Sequence, residues 1–331
     1  MPGHRALTLI SPFLNLQLSL VLLRRGDKMT LQDKAFLSSL SCFKEEDISL
    51  LYMISNHIYD NYRIIKLKKR NGKERVITAP KYHLKRVQRI LLEHVLMGQS
   101  ISSYAMAYRK GYSLKDNAKV HVGKHILLKL DIKDFFDNIS FMDVYRTCFS
   151  EFPKSIGMLF TYLVCYDEHL PQGAVTSPMI SNLILKDFDE EVGHFCELKN
   201  ISYTRYSDDL TFSGDFKVRE VISFVSKLLK KQGLELNYHK IHVVRHHQRQ
   251  LVTGVLVNNK VSIPDFYKKN IRQEMYYIRK YGVTSHLEYL HQDMNEHVYL
   301  NSLLGKVNYV LQVEPSLKEF LDYRDYLRKI Q

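Results

Sequence analysis

Two adjacent carboxylates interrupt a stretch that otherwise has the composition of a β-strand. Asp208 and Asp209 lie in RYSDDLTFSG, between aromatic and β-branched residues. Successive strand residues point to opposite faces of a sheet, so both side chains reach one ligand only if a turn lies there. Because adjacent carboxylates repel each other, protons or cations must neutralise them in a site closed to water. A divalent ion such as Mg²⁺, held together with substrate phosphate oxygens, meets this requirement.

A third acid completes the pattern. Asp131 ends HILLKLDI, a buried-looking strand that we expect to neighbour the hairpin of Tyr206. Three such acids can hold two metal ions about 3.5–4 Å apart, which would clamp the attacking and leaving oxygens of an in-line phosphoryl displacement. An Asp-Asp pair alone is more often a solvated turn, so the assignment depends on the neighbouring motifs.

Basic residues concentrate upstream of these acids. Residues 63–90 contain eleven Lys and Arg against one acid, and so carry +10 of the chain's net charge of +13. We predict a β-hairpin with a type I′ turn at Asn71-Gly72. The helix after Pro80 should carry a basic stripe opposite an apolar one. Such a surface would hold nucleic-acid phosphates, although a charge run is usually only a solvated face. The predicted stripe consists of Lys81, Lys85 and Arg89.

The remaining composition bounds the class of protein. The chain has 331 residues, of which 45% are apolar, enough for a packed core. Its four cysteines contain no CxxC pair, which argues against a zinc site or a disulfide framework and favours a reducing, cytoplasmic compartment. Residues 7–23 are leucine-rich but interrupted by polar residues, so we expect no membrane span. They are either a helix packed on the body or an untranslated extension before a start at Met29.

Helical patterns flank the acidic motifs. We expect a helix at residues 45–59, one from Phe141 capped by Ser140, and one with Ser177 at the N-cap and Pro178 at the first helical position. Its apolar stripe should extend to Phe188. From residue 265 onward the pattern is helical throughout, with one helix ending at Gly282 and two more at about 298–311 and 316–330.

The order of these motifs resembles that of reverse transcriptases, specifically the bacterial retron type. The general resemblance lies in LDIKDFFDNIS, LPQGAVTSP, RYSDDLTFS and GLELNYHK. The segment Asn117-Ala118-Lys119-Val120-His121 matches the retron signature NAxxH, and Val252-Thr253-Gly254 matches VTG. The resemblance covers residues 48 to 312. Position 207 is Ser where retron enzymes usually have Ala, and the leucine-rich start matches no part of the family pattern.

This resemblance implies roles for individual residues. Asp131, Asp208 and Asp209 would be the catalytic acids and the ligands of two Mg²⁺ ions. Six residues would contact the incoming nucleotide: Arg75 and Lys73 at the triphosphate, Phe136 against a ribose 2′-hydroxyl, Gln172 and Gly173 at the nascent base pair, and Lys240 as proton donor to pyrophosphate. RNA would be bound by Lys81, Lys85, Arg89, Asn117, His121 and Thr253. Phe136 as a core aromatic and Lys240 as a surface lysine remain alternatives.

The resemblance also implies the architecture: an α+β right-hand polymerase. Residues 1–47 would be an N-terminal extension and first helix, 48–125 the fingers, 126–250 a palm with an antiparallel sheet, and 251–331 a primer-grip hairpin and helical thumb.

The implied activity is RNA-directed DNA polymerisation within a retron. A dedicated structured non-coding RNA would serve as template and primer, dNTPs as substrates, and a branched RNA-linked single-stranded DNA as product, starting from a guanosine 2′-hydroxyl. Host ribonuclease H would remove the template, and a separate effector protein would act in antiphage defence. The alternatives are a reverse transcriptase of a mobile intron or diversity-generating element, and a non-catalytic RNA-binding scaffold. Clustered acids facing phosphates argue against the scaffold.

Overall fold

The structure is a computed structural model that describes residues 30–68, 72, 74–290 and 294–331. The chain divides into two compact units, each built from two segments. The first unit combines the described residues up to Ile101 with residues 134–184, and the second combines residues 102–133 with the described residues from Leu185 onward. The predicted division into fingers, palm and thumb uses other boundaries and stays a prediction.

Helices and antiparallel strands alternate along the described chain, which agrees with the predicted α+β class. The α-helices are α1 Leu31–Ser39, α2 Glu45–Asn56, α3 Tyr82–Leu91, α4 Leu114–Lys119, α5 Phe141–Val144, α6 Lys154–Val164, α7 Ser177–Ile184, α8 Lys186–Glu197, α9 Val218–Lys231, α10 Asp265–Tyr281, α11 Val283–Tyr289, α12 Glu296–Val313 and α13 Lys318–Ile330. The strands are β1 Tyr62–Lys68, β2 Glu74–Pro80, β3 Ile126–Asp131, β4 Ser202–Tyr206, β5 Asp209–Gly214, β6 His242–Arg245, β7 Leu251–Val252 and β8 Val255–Leu256.

The first unit pairs a hairpin with a helical core. Strands β1 and β2 are antiparallel and in register from Tyr62 opposite Pro80 to Lys68 opposite Glu74. Helix α3 packs against α2 and α6, and its apolar stripe is fully buried. At the centre of this packing, the buried Gln88 amide donates to the Tyr62 hydroxyl and to the Leu163 carbonyl, each over 2.9 Å. A polar residue is tolerated there because its donors are satisfied.

The second unit is organised around a four-stranded antiparallel sheet with the order β4-β5-β3-β6. Helix α8 packs against β4, and α9 packs against α8. Leu128, Leu130 and Phe212 share one face of β3 and β5 and are buried. The central position of β3 and β5 places their ends, and the acids on them, in a rigid part of the unit.

A second apolar cluster of this unit joins the sheet to the C-terminal helices. Leu127 of β3 and Val252 of β7 belong to it, together with buried residues of α10 to α13. Met275, Leu303 and Phe320 lie at its centre and are fully buried. The β7–β8 hairpin is therefore fixed between the sheet and these helices.

Most predicted elements are present, with differences at their ends. Ser140 caps α5 and forms the expected capping box with Asp143. Helix α7 begins at Ser177, with the Thr176 carbonyl accepting from Ile180, so the predicted N-cap at Ser177 was wrong by one residue. A break at Leu185 separates α7 from α8, so the apolar stripe does not extend along one helix to Phe188.

Other differences concern helices and a turn. The short helix α11 was not predicted, whereas α10, α12 and α13 match their predicted places. Helices α3 and α5 are each followed directly by a short π-helix, at Leu92–Leu96 and Tyr145–Phe149 respectively. Gly72 has φ 80°, but Asn71 and the leucine-rich residues 7–23 lie outside the described residues, so the turn type stays a prediction.

The four cysteines are free thiols. Cys148, Cys165 and Cys196 are buried, and burial raises the pKa of Cys148 and Cys196 to about 12. Cys42 is only partly buried. None of the described helices is long and apolar enough to cross a membrane.

Candidate active site

The three predicted acids come together at one end of the central strand pair. Asp131, the last residue of β3, is directly opposite Asp209, the first residue of β5. Asp208 lies in the two-residue turn between β4 and β5, and its carbonyl accepts a hydrogen bond from the Ile132 amide over 3.0 Å. Ser207, the other turn residue, has φ 62° and is buried. This left-handed residue makes the turn tight enough to present both carboxylates.

Asp209 is partly buried among like charges, and two lysines partly offset them. Burial raises the pKa of Asp209, as do the charges of Asp208 and Asp131, whereas Lys129 and Lys240 lower it. The Lys240 ammonium donates to both carboxylate oxygens of Asp131 over 2.9 and 2.8 Å. Burial opposes the charge of Lys240, yet its hydrogen bonds to Asp131 and the nearby acids raise its pKa.

Lys129 was missed by the sequence reasoning. It is paired with Thr211, so its side chain shares the sheet face of Asp131 and Asp209. Strand alternation contains the signal, because Lys129 precedes Asp131 by two residues.

A buried ion pair holds the turn from the opposite side. The Arg205 guanidinium of β4 binds the Asp189 carboxylate of α8, with Nη2 2.6 Å from Oδ2 and Nε 2.8 Å from Oδ1, and both side chains are fully buried. Arg205 also donates to the Ser207 carbonyl over 3.1 Å, and Tyr203 donates to Asp189. Sequence reasoning missed this pair, since nothing in the spacing of Asp189 and Arg205 distinguishes them from exposed charges.

The donor set fits a magnesium ion shared with substrate. No group of three or more His, Cys, Asp or Glu side chains within the described ranges could hold a metal ion by itself. Mg²⁺ usually takes one or two carboxylates and completes its shell with phosphate oxygens and water. Asp131 and Asp208 would supply that pair. The pKa of Asp209 is raised first by burial and then by the charges of Asp208 and Asp131, and a bound cation would offset the repulsion from those two carboxylates. A set of three ligands for two ions stays a prediction.

In the first unit, two predicted nucleotide contacts touch each other. Arg75 of β2 donates from Nε to the Gln172 side-chain oxygen over 2.9 Å, and the Thr78 amide donates to the Gln172 carbonyl over 2.8 Å. Gly173 has φ 128°, and a Cβ there would lie 2.7 Å from Ile77 Cγ2. Only glycine therefore lets this loop lie against β2. Arg75 and Gln172, 97 residues apart in sequence, form one hydrogen-bonded polar pair.

Phe136 is half-buried, and its ring lies 5.2 Å from that of Phe135, which is buried. An incompletely covered ring is accessible to a ligand, while its neighbour belongs to the core. The sixth predicted nucleotide contact, Lys73, lies outside the described residues.

The predicted RNA-binding residues fall into two kinds of environment. Lys81, Lys85 and Arg89 are exposed on α3 and at its N-cap, opposite the buried Leu84 and Val87. Asn117 and His121 are fully buried in the second unit, and Thr253 is half-buried with φ 47°. The basic stripe is therefore exposed to solvent, whereas the polar atoms of Asn117 and His121 bond to protein groups.

Comparison with known proteins identifies the family. The sequence profile described as Reverse transcriptase (RNA-dependent DNA polymerase) matches residues 67–279, well over half of the chain. The chain belongs to the reverse transcriptase family. The matched range contains all three candidate catalytic acids of this reverse transcriptase, together with Arg75, Phe136 and Lys240.

Comparison with curated relatives identifies the type of reverse transcriptase. The retron Ec86 reverse transcriptase of Escherichia coli is 30% identical over 223 residues, which is 66% of this chain and 70% of the relative. The retron Ec83 enzyme of the same species is 30% identical over 282 residues, 79% of this chain and 86% of the relative. The retron Mx65 enzyme of Myxococcus xanthus is 29% identical over 314 residues, 85% and 70% of the two chains. The chain is a retron-type reverse transcriptase, and so an RNA-directed DNA polymerase.

Among solved structures, a telomerase from Candida albicans in complex with a fragment of telomeric RNA is similar with a TM-score of 0.44 and 11% identity, over 81% of this chain and 66% of that one.

Proposed function

We propose that this reverse transcriptase copies part of a dedicated structured RNA into a branched RNA-linked single-stranded DNA, within a retron that serves antiphage defence. The RNA would be both template and primer, and synthesis would begin at a guanosine 2′-hydroxyl. A separate effector protein and host ribonuclease H complete the proposal. Its support is the family membership together with the two retron signatures in the sequence.

One observation carries the catalytic part of the proposal. Asp131 and Asp209 are paired across two central strands, with Asp208 in the adjoining turn. Clustered acids at the end of a nucleic-acid enzyme's sheet make sense only with cations and phosphates beside them. We assign Asp131 and Asp208 as principal metal ligands, with Asp209 as the second acid of the motif.

The chemistry follows from these assignments. The primer hydroxyl loses its proton to solvent, its oxygen attacks the α-phosphorus of the dNTP, and the bond from that phosphorus to the bridging oxygen of pyrophosphate breaks. Bound Mg²⁺ would supply positive charge to the phosphate oxygens on both sides of this displacement. Lys240, already a hydrogen-bond donor beside Asp131, is the proposed proton donor to the leaving pyrophosphate.

Nucleotide contacts are proposed for five further residues, as the family resemblance implies. The Arg75 guanidinium offers fork-shaped donors that suit a triphosphate, and its bond to Gln172 fixes its direction. Gln172 and Gly173 are proposed to lie against the nascent base pair, Phe136 to exclude ribonucleotides, and Lys73 to assist Arg75. In the family's terms, residues 48–125 would be fingers, 126–250 palm, and 251–331 primer-grip hairpin and thumb.

The experiment that tests the proposal is Asp208→Asn. This change removes one negative charge without altering side-chain size. We expect magnesium-dependent DNA synthesis on the cognate RNA to fall by about a thousandfold or more, since metal-assisted charge stabilisation is worth several kcal/mol. Product formation from labelled dNTPs measures it.

The matched control is Asp215→Asn, the same chemical change just beyond the other end of β5, where Asp215 is exposed. This variant should retain wild-type synthesis. A wild-type amount of DNA product from a folded Asp208→Asn protein would contradict the assignment of Asp208 as a catalytic metal ligand. The non-catalytic RNA-binding scaffold would then be the better proposal.

A mobile-intron or diversity-generating reverse transcriptase is the second candidate from the same class. The NAxxH and VTG signatures favour the retron type over it. The discriminating product is a branched RNA-DNA molecule, which a debranching enzyme converts to linear DNA.

A further inference from the structure

Four polar side chains of the second unit form a continuous hydrogen-bond chain away from the candidate active site. His121 bridges two strands, with Nδ1 2.7 Å from Ser213 Oγ and Nε2 2.8 Å from Thr204 Oγ1. The Thr204 hydroxyl lies 2.7 Å from Asn117 Oδ1. All four residues are buried. At its far end, the Asn117 amide points to Thr253 Oγ1 over 3.5 Å.

The direction of each bond in this chain can be assigned. Asn117 Oδ1 is only an acceptor, so the Thr204 hydroxyl donates its one proton to it and must accept a hydrogen bond from His121 Nε2–H. Burial lowers the pKa of His121 to about 3, so the ring is neutral and its Nδ1 is an acceptor, which takes the Ser213 proton. Each member therefore has one bonding arrangement, and the loss of any hydroxyl leaves a neighbour unsatisfied.

The two strand residues of this hydrogen-bond chain, Thr204 and Ser213, lie on the same sheet face as Asp131 and Asp209. In the β4–β5 pair, Tyr206 is opposite Asp209, Thr204 opposite Thr211, and Ser202 opposite Ser213. Paired residues, and alternate residues along each strand, share a face. Thr204 and Ser213 thus share the face of Asp209, and Asp131 joins it through its own pairing with Asp209.

The two retron signatures are therefore connected to the catalytic hairpin. Asn117 lies in α4, and His121 follows two residues after the end of this helix. Thr253 lies in the turn of the β7–β8 hairpin, which is packed among the C-terminal helices. The three polar side chains of these signatures, Asn117, His121 and Thr253, are hydrogen-bonded to one another or to residues of β4 and β5.

We propose that Asn117 and His121 are positioning residues for DNA synthesis, which lock β4 to β5 and thereby hold Asp208 and Asp209 in place. Under this inference NAxxH and VTG act on the catalytic rate through the hairpin, and selection of the RNA is not their direct function. The inference rests on the proposed roles of Asp208 and Asp209.

The decisive variants lie outside both signatures. Thr204→Val keeps the side-chain shape but removes the hydroxyl, and Thr204→Ser keeps the hydroxyl but removes a methyl group. The assay is dNTP incorporation on a generic RNA template with a DNA primer, which contains no retron RNA. Turnover and KM for dNTP are measured well below the melting temperature, beside filter binding of the cognate RNA.

We expect Thr204→Val to lower kcat about tenfold, because small misplacements of catalytic groups carry large rate costs. KM and RNA affinity should stay within about twofold of the wild-type values, and Thr204→Ser should restore kcat. Asn117→Ala should resemble Thr204→Val. If Thr204→Val does not fold, Ser213→Ala removes the other hydroxyl without changing shape, and the same kcat loss is expected.

Three results overturn the inference. One is unchanged kcat with weaker discrimination of the cognate RNA, which would make the signatures direct RNA contacts. Another is unchanged kcat with only a lower melting temperature, which would make the chain ordinary packing. The third is failure of Thr204→Ser to rescue. Absence of synthesis by the wild-type protein on any template would instead defeat the proposed function itself.

Discussion

At the scale of single residues, Phe136 is the proposed determinant of sugar selectivity. Its ring is half-buried beside the fully packed Phe135. A rigid ring at the sugar leaves no room for an added oxygen, so its removal should admit ribonucleotides. We predict that Phe136→Val raises the ratio of rNTP to dNTP kcat/KM by about 10- to 100-fold. Steady-state kinetics with paired nucleotides measure this ratio.

Phe135→Val provides the control, since it deletes the same atoms from the neighbouring buried ring. It should lower the melting temperature and leave the nucleotide ratio unchanged. An unaltered ratio in Phe136→Val would show that Phe136 is only a core aromatic.

At the scale of elements, the Asp189–Arg205 pair fixes helix α8 to the β4–β5 hairpin, which contains two of the candidate catalytic acids. Removing one partner leaves a buried charge without compensation, which costs about 3–5 kcal/mol. We predict that Asp189→Asn lowers the free energy of unfolding by that amount and also lowers DNA synthesis, because Arg205 holds the Ser207 carbonyl. Denaturant titration and dNTP incorporation measure the two effects.

Glu190→Gln, on an exposed neighbour in α8, is the control and should be near neutral. The double variant Asp189→Leu with Arg205→Met should recover stability more than activity, since apolar residues can replace the pair but not its bond to the turn. Equal recovery of both would mean that the pair stabilises the unit without orienting the turn.

Most elements of the site could be predicted from the sequence, because their signals are local. The Ser207-Asp208 turn, the strand ending at Asp131 and the basic stripe of α3 each depend on residues a few positions apart. The burial of Asp189 and Arg205 could not be predicted, because charged residues usually lie at the surface unless they are paired. Their pairing depends on the tertiary structure and leaves no pattern in the sequence. Gln88 escaped prediction for the same reason. The roles of Asn117 and His121 depend on hydroxyls 83 to 92 residues distant, which no periodicity reveals.

At the scale of the whole molecule, charge is the property that matters for RNA capture. Residues 63–90 carry most of the net positive charge, and the stripe residues Lys81, Lys85 and Arg89 are exposed. Each phosphate contact releases counterions and adds nearly one unit to the salt dependence of binding. We predict that replacing all three by Gln flattens the negative slope of log affinity against log salt, reducing its magnitude by about 2 to 3 units, for cognate and unrelated RNA alike.

Filter binding over a salt series measures the slope. The control replaces Lys227, Lys230 and Lys231, exposed residues of α9, by Gln. It removes the same charge from another surface and should change the slope less. If the stripe variant keeps the wild-type slope, the stripe is a solvated face and the RNA binds elsewhere.

The burial of three cysteines has a practical consequence for observing this enzyme at work. A maleimide dye reacts with exposed thiolate, and Cys148, Cys165 and Cys196 offer neither exposure nor a low pKa. Cys42, partly exposed, is the remaining one of the four, and burial raises its pKa as well, so its labelling is slow near neutral pH, where a maleimide reacts with thiols and spares lysines. The native chain thus offers Cys42 of the first unit as the position for a single fluorophore, without any engineered cysteine.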